Sequence, residues 1–140
     1  METGPKDYLT FRLARKDLAV DSLRVRGILP LAELTPVPSA RQGIIGIANY
    51  SGRPVVVIDL RLRLNLTAAS QGVQQKIVVV EAAGGHLAGF IADRVANIVR
   101  YRSRDLRAGV LRGTGRRRTL VEVDEVVSED DLVRLWSLSL

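Results

Sequence analysis

Residues 46–60 read GIANYSGRPVVVIDL, and this stretch is the most informative part of the chain about its fold. The apolar residues before Ser51 and the Val55–Ile58 run after it predict two β-strands joined by a tight turn. Gly52 supplies the positive φ that such a turn often requires. The Val55–Ile58 run is typical of a strand buried on both faces, and we expect Asp59 to cap the turn that follows.

The segments around this hairpin also predict short strands. Leu9, Phe11 and Leu13 alternate with polar residues, as in a half-buried strand, and Leu18–Val20 follows a polar turn, so a first hairpin is expected over residues 9–20. Further strands are predicted where β-branched residues cluster between turn signals, at residues 76–81, 86–91, 93–99 and 119–123.

Helical structure is predicted to be sparse. We expect a short turn or helical piece and then an extended segment over residues 23–29, and one helical turn over Arg61–Leu64. Ser128 is expected to cap a terminal helix that presents Leu132, Leu135 and Trp136 on one face. The prolines at positions 30, 36 and 38 argue against a long helix or a central strand between residues 30 and 38. Together these segments predict an all-β, barrel-type fold with a short C-terminal helix.

Composition indicates one cytoplasmic domain. The chain has 140 residues, of which 46% are hydrophobic, so it is long enough and apolar enough to bury a core. It has no cysteine, which excludes disulfides, thiolate metal sites and cysteine nucleophiles. Residues 1–8 carry no apolar segment behind a basic start, and the apolar runs are shorter than the ~20 residues of a membrane-spanning helix. We therefore expect no signal peptide and no direct membrane insertion.

The net charge of +6 is unevenly distributed. Basic residues concentrate between Arg100 and Arg118, whereas residues 122–131 are acidic. The preferred interpretation is that these are solvated loops and strand edges. The alternative is a basic β-barrel that binds nucleic acid through the Arg100–Arg118 segment, but Tyr101 is its only aromatic residue. No nucleic-acid partner is therefore expected.

No catalytic or cofactor-binding motif is visible. Asp59 and Asp93 follow predicted strands, where binding of local backbone amides accounts for them. His86 is the only histidine, so a triad or a multi-histidine metal site has no partners, and a solvent-facing strand position is expected for it. The glycines at 84–85 and 113–115 do not match a phosphate-binding loop. The sequence thus predicts a protein that is not an enzyme and holds no cofactor or metal.

The central hairpin resembles the CheW-like family, in which a G-V-x-N-L-R-G segment leads into a V-I-P-V-I-D-L strand. The resemblance extends over most of the chain in family order. The matching segments are residues 8–13 (YLTFRL), 23–29 (LRVRGIL, against V-R-E-I-L), 35–38 (TPVP), 89–95 (GFIADRV, against G-L-x-V-D-x-V) and 121–136, which resemble the last strand and closing helix.

The resemblance implies two small five-stranded SH3-like barrels packed side by side, to both of which the chain ends contribute. They form a single CheW-like domain over residues 1–140, with a connector near 67–75. It implies a scaffold that couples chemoreceptors to a CheA-type histidine kinase. One surface of the first barrel is expected to bind the kinase regulatory domain. An apolar groove between the barrels is expected to bind the cytoplasmic tip of a receptor. By position, the kinase or receptor interface is expected at Val25, Gly27, Ile28, Gly46, Asn49, Ser51 and Gly52.

Two departures from the family pattern concern charged positions. The family commonly has an acidic residue where this chain has Gly27, and an arginine where it has Ser51. Loss of both members of an ion pair costs less than loss of one buried member. We therefore hypothesise that the two side chains faced each other in the family and were lost together here.

Overall fold

A computed structural model describes residues 4–37, 43–68, 74–113, 115–128 and 131. Within these residues the chain forms twelve strands, two short α-helices and four 3-10 turns. The strands are β1 (Lys6–Leu13), β2 (Lys16–Asp21), β3 (Val25–Pro30), β4 (Thr35–Pro36), β5 (Ile44–Tyr50), β6 (Arg53–Ile58), β7 (Lys76–Glu81), β8 (Leu87–Ala92), β9 (Arg94–Tyr101), β10 (Leu106–Arg107), β11 (Val110–Leu111) and β12 (Arg118–Leu120). The helices are α1 (Leu60–Arg63) and α2 (Val123–Val126), and the 3-10 turns are Ser22–Arg24, Leu31–Glu33, Ala83–Gly85 and Ser103–Asp105.

The strands form two sheets of six. The first sheet has the order β10-β11-β12-β2-β1-β9, so it joins the first two strands of the chain to the last four. The second sheet has the order β3-β7-β8-β6-β5-β4 and contains the middle of the chain. Strands β12 and β2 pair in parallel, as do β6 and β8, whereas the other pairs are antiparallel.

Three apolar clusters explain this arrangement. The largest lies between the sheets and contains Phe11 and Leu18 of the first sheet with Ile58 and Phe90 of the second. A second cluster packs on the other face of the second sheet, and a third packs on the other face of the first. Strands β1, β2, β6, β7 and β8 therefore pack apolar residues on both faces, which is why the chain carries continuous apolar runs as well as alternating ones.

The all-β class is confirmed, and the described strands form two sheets. The resemblance implied five strands in each unit, whereas each sheet has six, because two-residue strands such as β4 and β10 extend the sheets at their edges. The first two strands and the last four share the first sheet, and Asp131, beyond the last strand, pairs with Arg63 of α1, which follows β6 of the second sheet.

The central hairpin forms as predicted. Its turn consists of Ser51 and Gly52, whose φ angles are 49° and 81°. The Val55–Ile58 run is 0% exposed, and its residues alternate between two apolar clusters. The side chain of Asp59 accepts a hydrogen bond from the Arg61 N–H at 3.0 Å and so caps α1.

Several details differ from the expectations. β1 is buried on both faces rather than half-buried, because Tyr8 faces the third apolar cluster while Leu9 and Phe11 face the central one. The strand predicted over residues 119–123 ends at Leu120, and Val123 begins α2, which buries Val123 and Val126.

The remaining expectations concern His86, the Ser128 cap and segments that lie partly outside the described residues. His86 precedes β8 and is partly exposed, rather than lying on a strand. The Ser128 hydroxyl accepts a hydrogen bond from the Asp131 N–H at 3.3 Å, as predicted for a cap. Residues 132–140 of the predicted helix, residues 69–73 of the predicted connector, and Pro38 lie outside the described residues.

Candidate functional site

The tip of the β5–β6 hairpin is exposed and stiffened by its own backbone. Tyr50 and Arg53 form the last pair of the ladder, and the two-residue turn between them has left-handed φ angles. The Asn49 side-chain oxygen accepts a hydrogen bond from the Gly52 N–H at 3.0 Å. A Cβ atom at Gly52 would meet nothing within 4 Å. Asn49, Ser51 and Gly52 thus form a projecting surface that a partner can approach directly.

Strand β3 is the second part of the predicted site. It forms one edge of the second sheet and pairs only with β7 among the described strands. The side chain of Ile28 is 43% exposed, whereas Val25 packs against the central apolar cluster. Ile28 is therefore the large apolar side chain of β3 that a partner can contact, whereas Val25 contributes mainly to packing.

Tyr50 brings the hairpin tip and β3 together. Three strands separate β3 from β5 in the hydrogen-bonded order, yet the Tyr50 hydroxyl donates a hydrogen bond to the Arg26 carbonyl at 2.6 Å. The second sheet must therefore curl until its two sides meet at this contact. Tyr50 is not among the predicted interface residues, and it stands where the family segment has leucine.

The same tyrosine accounts for Gly27. A Cβ atom at Gly27 would lie 2.5 Å from Cε1 and 2.7 Å from Oη of Tyr50, so the ring occupies the space that a side chain at this position needs. An acidic residue at position 27 is incompatible with this placement of the ring. The hypothesis of a lost charge pair with Ser51 stays a prediction, but the observed partner of Gly27 is Tyr50.

Gly46 lies beneath the surface rather than on it. A Cβ atom there would overlap the Thr35 carbonyl oxygen and lie 2.9 Å from the Cα of Pro36. The absent side chain allows β4 to pair with β5, through Thr35 opposite Ile47 and Pro36 opposite Gly46. Gly46 thus supports the hairpin from behind and offers nothing for a partner to touch.

Ion pairs flank β3. Arg24 donates two hydrogen bonds to Asp124 and one to the Glu81 carbonyl, and Arg26 lies 2.8 Å from the Glu81 carboxylate. The hydrogen bonds from Arg24 lower the pKa of Asp124, and the same contacts raise the pKa of the Arg24 guanidinium. The exposed Ile28 is therefore set in a charged surrounding, an arrangement that gives a protein contact both an apolar centre and a polar border.

A groove between the two sheets provides a second surface. A cavity of about 280 Å³ opens where Leu13 of β1 meets Ile45 of β5 and Ile91 of β8, with Leu60 beside them. Polar side chains of Asp59, Arg61 and Gln75 also line it. The groove depends on residues far apart in sequence, so no single motif identified its lining beforehand.

The described part of the chain shows no group of three histidine or acidic side chains that could hold a metal ion. Within the same residues, no helix is both long and apolar enough to cross a membrane. What the structure does offer is two candidate surfaces, the hairpin tip with β3 and the groove between the sheets.

Comparison with known proteins places this arrangement among its relatives. A family model described as a CheW-like domain matches residues 7–133. A chemotaxis protein CheW of Rhizobium meliloti is 26% identical over 94% of this chain and 93% of its own length, and one of Thermotoga maritima is 24% identical over 88% of each chain. The crystal structure of the scaffolding protein TtCheW from Thermoanaerobacter tengcongensis superposes with a TM-score of 0.78 at 21% identity, covering 91% of this chain and 95% of that one, which shows a shared fold.

Proposed function

The chain belongs to the CheW-like domain family, and from this membership we propose that it is a scaffold that holds a CheA-type histidine kinase against a chemoreceptor. It acts without making or breaking a bond, without a cofactor, and in the cytoplasm, where the signalling tip of a receptor is found. Signal passes through the two interfaces, and the catalysis belongs to the kinase.

The observation that carries this proposal is the extent of the family match. It spans residues 7–133, and the alignments to two proteins named for chemotaxis cover 93% and 88% of their lengths. Such coverage includes both sheets, and with them the hairpin tip, β3 and the residues that line the groove.

The two surfaces are assigned to the two partners by their shape. The projecting hairpin tip with Ile28 offers a convex patch for the folded regulatory domain of the kinase. The apolar groove at Leu13, Ile45 and Ile91 offers a concave site for the end of a receptor helical hairpin.

The nucleic-acid alternative is not supported. Arg100 pairs with Asp7 at 3.0 Å near the start of β1, whereas Arg112 and Arg117 lie with Lys16, beyond the other end of that strand. Eight residues of β1 span roughly 25 Å, so the Arg100–Arg118 segment does not form one continuous basic face.

Three-component assembly tests the proposal. Membranes that contain a chemoreceptor from the same organism are mixed with its CheA-type kinase, with and without this protein, and then sedimented. We expect the protein to sediment with the membranes and to carry the kinase with it, and expect much less kinase in the pellet without it. A folded protein that stays in the supernatant with both partners present would contradict the scaffold function.

A further inference from the structure

A row of charged side chains crosses four neighbouring strands of the first sheet. Arg12 of β1 lies directly opposite Arg94 of β9 on one side and directly opposite Asp17 of β2 on the other. Strand β12 runs parallel to β2 with Thr119 opposite Leu18, so the register brings Arg118 next to Asp17. The row therefore contains three arginines and one aspartate.

This row is poorly neutralised. Like charges directly opposite each other on paired strands are destabilising, and Arg12 and Arg94 form such a pair. Among the described residues, no carboxylate lies within ion-pair distance of Arg94. The Arg12 Nε lies 3.1 Å from Asp17, yet it is buried without a hydrogen bond, and Arg116 approaches the same aspartate at 3.5 Å.

Two cavities meet at Asp17. The first, of about 230 Å³, contains the row, and Arg116 also lines it. The second, of about 330 Å³, opens around the start of β2. Among the described residues, Asp17 is the only carboxylate in either lining. It faces eight cationic side chains, which are Arg12, Arg94, Arg116 and Arg118 in the first cavity and Arg15, Lys16, Arg112 and Arg117 in the second. We call these eight residues the arginine cleft.

We propose that the arginine cleft binds an acidic segment of a protein partner through its carboxylates. A planar guanidinium group matches a carboxylate in a bidentate geometry, and an incoming carboxylate would relieve the repulsion between Arg12 and Arg94. Because two cavities adjoin, an extended chain with several acidic residues can use both, whereas a single small anion uses one.

The aromatic residues near the cleft favour a peptide over a nucleic acid. Phe11 lines the first cavity but is 1% exposed, and Tyr101 accepts a hydrogen bond from Arg118 and is 3% exposed. Neither ring is available to stack on a base, as recognition of single strands requires. The cleft lies on the first sheet, whereas the hairpin tip and β3 belong to the second, so this inference goes beyond the scaffold function and can fail independently of it.

The test uses a fluorescent peptide of alternating glutamate and serine, with a glutamine–serine peptide as the uncharged reference. In the double variant Arg94→Gln with Arg116→Gln, we expect the Kd for the acidic peptide to rise about tenfold. The matched control removes two positive charges near the start of β1, at the other end of the first sheet, with Lys6→Gln and Arg104→Gln, and should change the Kd by less than about twofold. Asp17→Asn should lower the Kd, because it removes the only competing carboxylate from both cavities.

Thermal unfolding gives an independent readout. Arg94→Gln alone should raise the unfolding midpoint of the free protein, because it removes the like-charge pair. Addition of the acidic peptide should then raise the midpoint of this variant by less than it raises that of the wild type. If Arg94→Gln instead lowers both the unfolding midpoint of the free protein and its affinity for the acidic peptide, Arg94 has a merely structural role. That result would overturn the assignment.

Three other results would also overturn it. Equal weakening of binding in the double variant and in its control would show a general effect of net charge. Tighter binding of a short DNA duplex than of the acidic peptide, with that affinity lost in the double variant, would assign the cleft to nucleic acid. Displacement of the peptide by inorganic phosphate at an equal concentration of charge would show an adventitious ion site only.

Discussion

Gly46→Ala is expected to destabilise the protein by about 3 kcal/mol or more. The added methyl group would overlap the carbonyl oxygen of Thr35 and press on the Cα of Pro36 at 2.9 Å. Both obstacles are backbone atoms, so no rotamer change relieves the overlap. The sheet must instead release β4, which is held to β5 by the pairs Thr35–Ile47 and Pro36–Gly46.

Chemical denaturation of Gly46→Ala beside Gly89→Ala measures this effect. Gly89 also lies buried in a strand of the second sheet, but a Cβ there would meet side-chain atoms, Cγ2 of Ile77 at 2.7 Å and Cγ1 of Val55 at 3.2 Å. These are side-chain atoms, so the core can repack around the new methyl group without loss of strand pairing, and Gly89→Ala should cost roughly 2 kcal/mol. Equal costs for the two variants would contradict the role given to Gly46, that of admitting β4.

Asp131→Ala is the second substitution with a large expected effect, about 3 kcal/mol of stability at neutral pH. The Asp131 carboxylate is 0% exposed and accepts hydrogen bonds from two nitrogens of Arg63, each at 3.0 Å, and from the Ser128 N–H at 2.9 Å. Arg63, only 21% exposed, also donates to the Val126 carbonyl. Removal of Asp131 leaves this mostly buried guanidinium without its charged partner and removes the contact between residue 131 and α1.

The effect should depend on pH. Burial raises the pKa of Asp131, but hydrogen bonds from Arg63 and Ser128 outweigh it and lower the pKa below the ordinary 3.8. A lowered pKa means that the stabilisation is complete above the ordinary value and is lost as the pH falls through the folded-state value. The stability difference between wild type and Asp131→Ala should therefore narrow as the pH falls below 3.8.

The control for this prediction is Asp124→Ala. Asp124 forms a comparable two-bond pair with Arg24, but both side chains are more than one-third exposed. We expect a loss below about 1 kcal/mol there. Denaturation curves for both variants at neutral and acidic pH make the comparison, and an equal loss at neutral pH would show that burial of Asp131 is not what makes its pair strong.

Local patterns predicted the elements of the fold well. The hairpin at residues 46–58, its turn at Ser51 and Gly52 and the cap at Asp59 follow from residues that are neighbours in sequence. Burial was less predictable, because each sheet packs on both faces. β1 shows this: its alternating pattern predicted one buried face, whereas two apolar clusters bury both.

The candidate sites depend on contacts between distant segments, which a local pattern does not contain. Tyr50 meets Gly27 only because the second sheet curls, and Arg94 faces Arg12 only because β9 returns to pair with β1. The basic segment at 100–118 was visible in sequence, but its division between two ends of β1 was not. The sequence did contain a signal for the contact between Tyr50 and Gly27. Gly27 lacks the side chain that the family has at that position, and Tyr50 is larger than the family's leucine.

The most direct test of the scaffold function is a binding titration of the folded protein against the regulatory domain of the CheA-type kinase from the same organism. Two matched variants accompany it: Ile28→Glu on β3, and Ile98→Glu on β9 of the first sheet, where the isoleucine is 63% exposed. We predict saturable 1:1 binding that Ile28→Glu weakens at least about tenfold and Ile98→Glu changes by less than about twofold. Absence of binding by the folded wild type, or an equal loss in both variants, would contradict a kinase-binding surface formed by β3 and the hairpin tip.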